Sequence, residues 1–349
     1  MKIQELDNDQ RREMINSRQR HDAWAKARSL VNEYRGSMVW HEVNGETYLV
    51  RSAYNKLGVR RQVSLGPRNE ETKKKKADFE VGREKAKARY YELNEARKRQ
   101  GAINRALGLG RVPLIGAEIL RALDDAGTLG TGLRVVGTNA IFAYEAGAGV
   151  MVDPGLTATG DIDFLMDARG GLRFVLSEEV SERSLISVLR SVDKTFEASP
   201  RSYRAENADG YMVDLIKPMR NPPRKREVTS STIGLAGNDL TAAAIEGLVW
   251  LENAPAFESI AIDERGFPVR IVAPDPRVWA AHKLWISGQP QRDPLKRERD
   301  RQQASVVAAI VEEHFPHLPF QAEELKMLPQ GIIDAAEPLF SARRGGFVP

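Results

Sequence analysis

The chain has 349 residues, 42% of them hydrophobic and 29% charged, with a net charge of +4 at pH 7. That length supports a full core and more than one domain, and the composition excludes a disordered chain. The lack of cysteine excludes disulfides, thiolate catalysis and cysteine-ligated zinc. A polar N-terminus unlike a secretory leader, and no apolar run near the roughly 20 residues of a membrane span, point to a cytoplasmic protein with no membrane partner.

Residues 1 to 35 are polar and helix-compatible, with Trp24, Ala25, Ala27, Leu30 and Val31 as an apolar stripe. From Gly36 the pattern alternates around Asn44-Gly45, which predicts a hairpin, with a third strand at Arg61 to Leu65 closed by Gly66-Pro67. A long charged helix then runs to about Gln100. Its segment "ETKKKKADFEVGREKAKARYYELNEARKRQ" reads either as a solvated face laced by i,i+4 pairs or as a surface for a nucleic-acid backbone. Residues 1 to 110 thus form an accessory region of helices and an antiparallel hairpin.

From Pro113 the texture changes. "LIGAEILRALDDAG" predicts a helix, "GLRVVG" a strand ending at Gly137, and "TNAIFAYEAGAG" a helix beginning at Thr138. "DIDFLMDA" is a second strand, "SERSLISVLRSV" a helix, and "KTFEAS", "SYRAEN" and "GYMVDLIKP" are further strands. This order predicts an α+β domain with a small mixed sheet over residues 111 to 220. Residues 221 to 349 begin with the basic, proline-bearing "NPPRKREV" and continue with a hairpin in "SIAIDERGFPVRIV". The rest is helical. Asp275 as N-cap and Pro276 at the first turn open one helix, and "DPLKRERDRQQASVVAAIVEEHF" forms a second that packs against it.

Three features carry chemistry. In "VVGTNA", Gly137, Thr138 and Asn139 form a turn from strand to helix whose free N–H groups suit a phosphate. Asp161 and Asp163 flank Ile162, so a strand places both carboxylates on one face. Asp214 is a further carboxylate inside the apolar run "GYMVDLIKP". Each alone has an ordinary structural reading, as a helix cap, a water-facing strand end or a strand edge. Together they suit magnesium or manganese, hard cations that prefer carboxylate oxygens and keep room for phosphate oxygens. One such ion would acidify an attacking hydroxyl and a second would neutralise a triphosphate and its leaving pyrophosphate.

The set Gly137-Thr138, Asp161-Ile162-Asp163 and Asp214 resembles the DNA polymerase β-like nucleotidyltransferase superfamily over residues 115 to 220. Within it, "TATGDIDFLM" is similar to the form found in minimal and abortive-infection-type bacterial members. The resemblance implies that Asp161 and Asp163 bind both metals, and that Asp214 binds the catalytic one. It also implies that Lys283, in "HKLW", reaches a nucleotide phosphate with Arg292, Lys296 and Arg297 nearby. The ordinary reading of these cations is a solvent-facing helix, and Asp300 reads as a salt-bridge partner rather than a metal ligand. Threonine at 138, where serine or glycine is commoner, and the long insert "GAGVMVDPGLTATG" depart from the pattern and leave the subfamily open.

No P-loop, no HExxH and no GxSxG motif occurs, and the five histidines are scattered. The expected activity is metal-dependent transfer of a nucleoside monophosphate from an NTP to a hydroxyl. The acceptor is an RNA 3′ end (tRNA included), a nucleotide, a protein side chain or a small molecule. The basic helix and "NPPRKREV" favour a nucleic-acid acceptor such as RNA, while the aromatics Trp40, Tyr48 and Tyr54 either stack on its bases or, for most of them, close a small core. The alternatives are an inactive nucleic-acid-binding or scaffold protein retaining the fold, and a phosphotransferase or hydrolase using the same carboxylates.

Overall fold

The computed structural model describes residues 3–54, 60–167, 184–199, 203–219 and 239–341. The loop "NPPRKREV", the start of "SERSLISVLRSV" and the side chain of Tyr54 lie outside the described residues. The elements run β1 (Ile3–Glu5), α1 (Asn8–Glu33), β2 (Ser37–Val43), β3 (Glu46–Tyr54), β4 (Arg60–Pro67), α2 (Glu70–Ala106) and α3 (Leu114–Asp125). Then come β5 (Leu133–Val136), α4 (Ile141–Ala148), β6 (Val150–Val152), α5 (Pro154–Thr157), β7 (Asp161–Met166), α6 (Leu185–Val192), β8 (Glu197–Ala198), β9 (Arg204–Glu206) and β10 (Met212–Pro218). The last are β11 (Ala243–Ile245), α7 (Leu248–Asn253), β12 (Ala256–Ile262), β13 (Pro268–Pro274), α8 (Pro276–Ser287), α9 (Pro294–His314) and α10 (Gln330–Ser341). The chain divides into two compact units, one of Met1–Arg11, Leu109–Arg265 and Val269–Pro349, the other of Arg12–Gly108 with Gly266–Pro268.

In the unit built on residues 12 to 108, β2, β3 and β4 form a three-stranded antiparallel sheet. Asn44 (φ 53°) and Gly45 (φ 82°) both adopt the left-handed backbone that a tight hairpin needs. A reciprocal cap starts α2: Asn69 Oδ1 accepts from Thr72 N at 2.8 Å, and Thr72 Oγ1 accepts from Asn69 N at 2.9 Å. Thr72, Phe79, Ala86, Leu93 and Gln100 are buried, a strict seven-residue spacing that keeps one stripe of the helix inward. The other faces carry exposed ion pairs such as Lys75–Glu71 at 2.7 Å and Lys98–Glu95 at 2.8 Å. The aromatics of this unit have partners: Arg97 lies 3.8 Å from the Trp24 ring centroid, Arg68 lies 5.3 Å from that of Trp40, and Tyr48 donates to Glu46.

In the other unit a six-stranded mixed sheet has the order β5-β7-β10-β9-β8, with β11 also on β10. β7 and β10 are parallel, whereas β5 and β9 run antiparallel to their neighbours β7 and β10. The polar helix expected from residue 1 is corrected at its start. Ile3–Glu5 is a strand that pairs with β6, and the helix begins only after Asp7 and Gln10 cap each other's backbone N–H. One apolar cluster extends from Val112 to Phe340, with Ile162, Phe164, Val213 and Leu215 from the sheet and Trp279, Val307 and Ile310 from the helices. Asp275 Oδ1 accepts from Arg277 N at 2.8 Å and Pro276 fills the first turn, so α8 starts where its sequence directs. No helix among the described residues is long and apolar enough to cross a membrane.

Candidate active site

Along β7 the residues alternate. Ile162 and Phe164 are fully buried, while Asp161 and Asp163 keep some contact with solvent. The two apolar side chains anchor the strand in the core, and the period of two sends both carboxylates to the opposite face. The strand register places Asp214 of β10 opposite Asp163, and Arg204 of β9 opposite Asp214. Three adjacent strands therefore carry carboxylate, carboxylate and guanidinium in one row.

Like charges gathered in this way are costly. The Asp163 carboxyl is pushed up to about 7, first by its deep setting among protein atoms, then by Asp161 and Asp214; Lys283 and Lys296 oppose the shift. Asp214 is paired with Arg204, whose Nε and Nη2 donate to Oδ1 and Oδ2 at 2.6 Å each. This fork is the strong, planar kind of ion pair. Asp161 accepts a hydrogen bond from Thr159 Oγ1. With Asp214 turned to Arg204, no group of three or more His, Asp or Glu side chains among the described residues is placed to hold a metal ion.

The turn after β5 explains its glycine. Gly137 has φ 62° and ψ −154°, and a Cβ there would sit 2.0 Å from Asp163 Oδ2. Only glycine allows both the backbone and the approach of the carboxylate. Thr138–Ala140 is a single 3₁₀ turn, so the α-helix expected from Thr138 starts instead at Ile141. Thr138 is buried against α9, where its Oγ1 accepts from Gln303 Nε2 at 3.2 Å. Asn139 Nδ2 donates to the Asp161 carbonyl at 2.7 Å, tying the turn to the carboxylate strand. Its Oδ1 is buried with no hydrogen-bond partner among the described residues.

α8 and α9 close the other side. Trp279 Nε1 donates to the Gly137 carbonyl at 3.2 Å, and Lys283 Nζ lies 5.4 Å from the Trp279 ring centroid. Lys283 donates to Asp300 Oδ1 at 2.8 Å and Arg292 Nε to Asp300 Oδ2 at 2.6 Å, with Asp300 fully buried between them. Burial holds the Lys283 ammonium below its ordinary pKa, against the pull of Asp300. Asp300 is thus the salt-bridge partner expected. Arg292 is committed to Asp300 and Arg297 donates to the Pro290 carbonyl at 2.8 Å, so of the helpers expected for a phosphate only Lys296 acts by its charge on Asp163. Sequence reasoning missed Arg204, Trp279 and Gln303, because strand pairing and helix packing bring them in from distant positions.

A family model described as Nucleotidyltransferase matches residues 116–329. The chain belongs to this nucleotidyltransferase family. In this nucleotidyltransferase the match spans every residue of the site, from Gly137 to Gln303, and the unit of residues 12 to 108 lies outside it. The fold around the site is the α+β arrangement with small sheets that such a domain has. No curated protein and no solved structure matches the nucleotidyltransferase.

Proposed function

We propose that the chain is a polymerase β-like nucleotidyltransferase that moves a nucleoside monophosphate from an NTP to a hydroxyl acceptor, an RNA 3′ end foremost, and releases pyrophosphate. The acceptor oxygen bonds to the α-phosphorus, the bond to the bridging oxygen breaks, and the hydroxyl proton leaves to solvent or a carboxylate. The observation that carries this reading is the in-register pair Asp163 and Asp214, with Asp161 on the same face as Asp163.

The residues present fit magnesium or manganese. A carboxyl pushed up to about 7 first by burial and then by two like charges is a place where a cation would relieve both the desolvation and the repulsion. Magnesium needs one or two carboxylates when substrate phosphates complete its shell. Asp161 and Asp163 would hold it, and Asp214 would join once released from Arg204. Such an ion supplies charge neutralisation for the triphosphate and a more acidic acceptor hydroxyl. The missing side chain at Gly137 makes room for the Asp163 carboxylate itself, and the charges of Lys283 and Lys296 act on that carboxylate.

The Arg204 fork on Asp214 favours a second reading, a protein that keeps the fold and binds nucleic acid without transfer. Incubation with each α-labelled NTP, magnesium or manganese and an RNA pool separates the two. Label passing to RNA supports transfer. RNA bound without label supports the second reading.

A further inference from the structure

We infer that the unit of residues 12 to 108 is an RNA-docking module, an inference that rests on RNA as the acceptor in the proposed transfer. Residues 12 to 108 contain 23 Lys and Arg against 12 Asp and Glu, a net +11, whereas the whole chain is +4. The remainder is therefore net negative by 7. An opposite sign in the two parts of one chain is the distribution expected when one part meets a polyanion.

The cations are also placed for it. Many side chains of α2 are neutralised along the helix by pairs such as Lys73–Glu70 and Lys75–Glu71. Lys74, Lys85 and Arg99 are exposed and make no ion pair among the described residues. Their spacings of 11 and 14 residues bring them to within about 40° of one helical direction along about 37 Å of the axis, a face they share with Asp78 and with Glu92, which Arg89 pairs at 2.7 Å. Thr72, Phe79, Ala86 and Leu93 lie on the buried stripe of the helix, so these three cations are turned away from that packing. Exposed Arg60 on the edge strand β4 and Lys26 on α1 add positive charge to the same unit.

Phosphate spacing along a strand matches a row of separated point charges better than it matches an isolated pocket. Counterion release then supplies the affinity and makes it salt-dependent. An acidic protein surface would be served by the same charges, and polyglutamate stands in for it in the test.

The test uses the full chain without NTP and a 5′-fluorescein 20-nucleotide RNA of mixed sequence, read by fluorescence anisotropy across a salt series. Binding in the micromolar range at low salt is expected. Lys74→Glu, Lys85→Glu and Arg99→Glu combined should weaken it at least tenfold. They should also lower the slope of log Kd against log salt by about 2, the value for three lost contacts to a single strand, with an unchanged melting curve. Binding absent at low salt, or a slope unmoved by the triple variant, overturns the inference. So does equal or tighter binding of polyglutamate. RNA bound with no label transferred from α-labelled NTP leaves the docking module standing and removes the proposed transfer. Label passed to a small hydroxyl acceptor with no RNA bound does the reverse.

Discussion

Asp214 stands opposite Asp163 across the parallel strands β7 and β10, and the two differ in how their charge is met. Arg204 neutralises Asp214 through two hydrogen bonds, while Asp163 faces two like charges and rises to about 7. A residue in that position is kept at the expense of stability. Asp163→Asn removes the repulsion and leaves the strand packing of Ile162 and Phe164 intact. It should raise the melting temperature of the metal-free protein by roughly 2 °C, a gain of about 1 kcal/mol, while abolishing transfer. Differential scanning fluorimetry and a transfer assay on the same sample check both halves. A lower melting temperature would mean that Asp163 is a structural group.

Gly137 tests the closeness of the turn to the carboxylate. A methyl group at this position would meet Asp163 Oδ2 at 2.0 Å in a backbone with φ 62°. Gly137→Ala should cost about 1–3 kcal/mol in denaturant unfolding through backbone strain. It should also slow transfer by roughly a hundredfold, because a displacement of about 1 Å at a reacting centre has that effect. Wild-type rates in the variant would show that the turn is not part of the site.

Arg204 is tested through cation binding in the absence of nucleotide. Arg204→Met frees both oxygens of Asp214. If the guanidinium competes with a divalent ion, manganese binding followed by electron paramagnetic resonance tightens severalfold, and Arg204→Lys falls between the two. Weaker binding in Arg204→Met would instead make Arg204 a residue that positions Asp214 for the ion.

His282 gives a pH signature apart from the carboxylates. It is packed against Trp250 and Trp285, and burial first, then the charge of Lys283, pushes its pKa down to about 3 from 6.5. The folded state keeps it neutral while the unfolded chain takes up a proton near pH 6.5. Its contribution to stability is therefore complete above pH 6.5 and is lost as pH falls toward about 3. Across that window the wild type should lose up to roughly 1.4 kcal/mol per pH unit more than His282→Gln. Urea titrations at pH 7.5, 5.5 and 4.5 measure the difference, and parallel pH dependences would contradict it.

Much of this architecture can be read from local signals. Asn44-Gly45, Asp275-Pro276 and the alternation Asp161-Ile162-Asp163-Phe164 act over a few residues, and each element they predict is present. The short strand Ile3–Glu5 exists because β6 is there to pair with it, and three polar-flanked residues carry no periodicity of their own. The 3₁₀ turn at Thr138 carries no local signal of its own, and its hydroxyl is held by Gln303, 165 positions away. Arg204 illustrates the same limit: nothing near it in "SYRAEN" marks a partner, and only the register with β10 brings it to Asp214. Charge gathered on residues 12 to 108 is visible from composition, whereas only the helix contacts single out Lys74, Lys85 and Arg99 as making no ion pair among the described residues.

The central claim, that Asp161 and Asp163 carry nucleotidyl transfer, is tested most directly by following label from α-labelled NTP to RNA in the presence of magnesium. Wild type is compared with Asp161→Asn/Asp163→Asn at matched folding, verified by circular dichroism. The account predicts labelled RNA with wild type and a loss of at least a thousandfold in the double variant, the scale of removing the charge-stabilising groups of such a site. Equal labelling by the two proteins would contradict it.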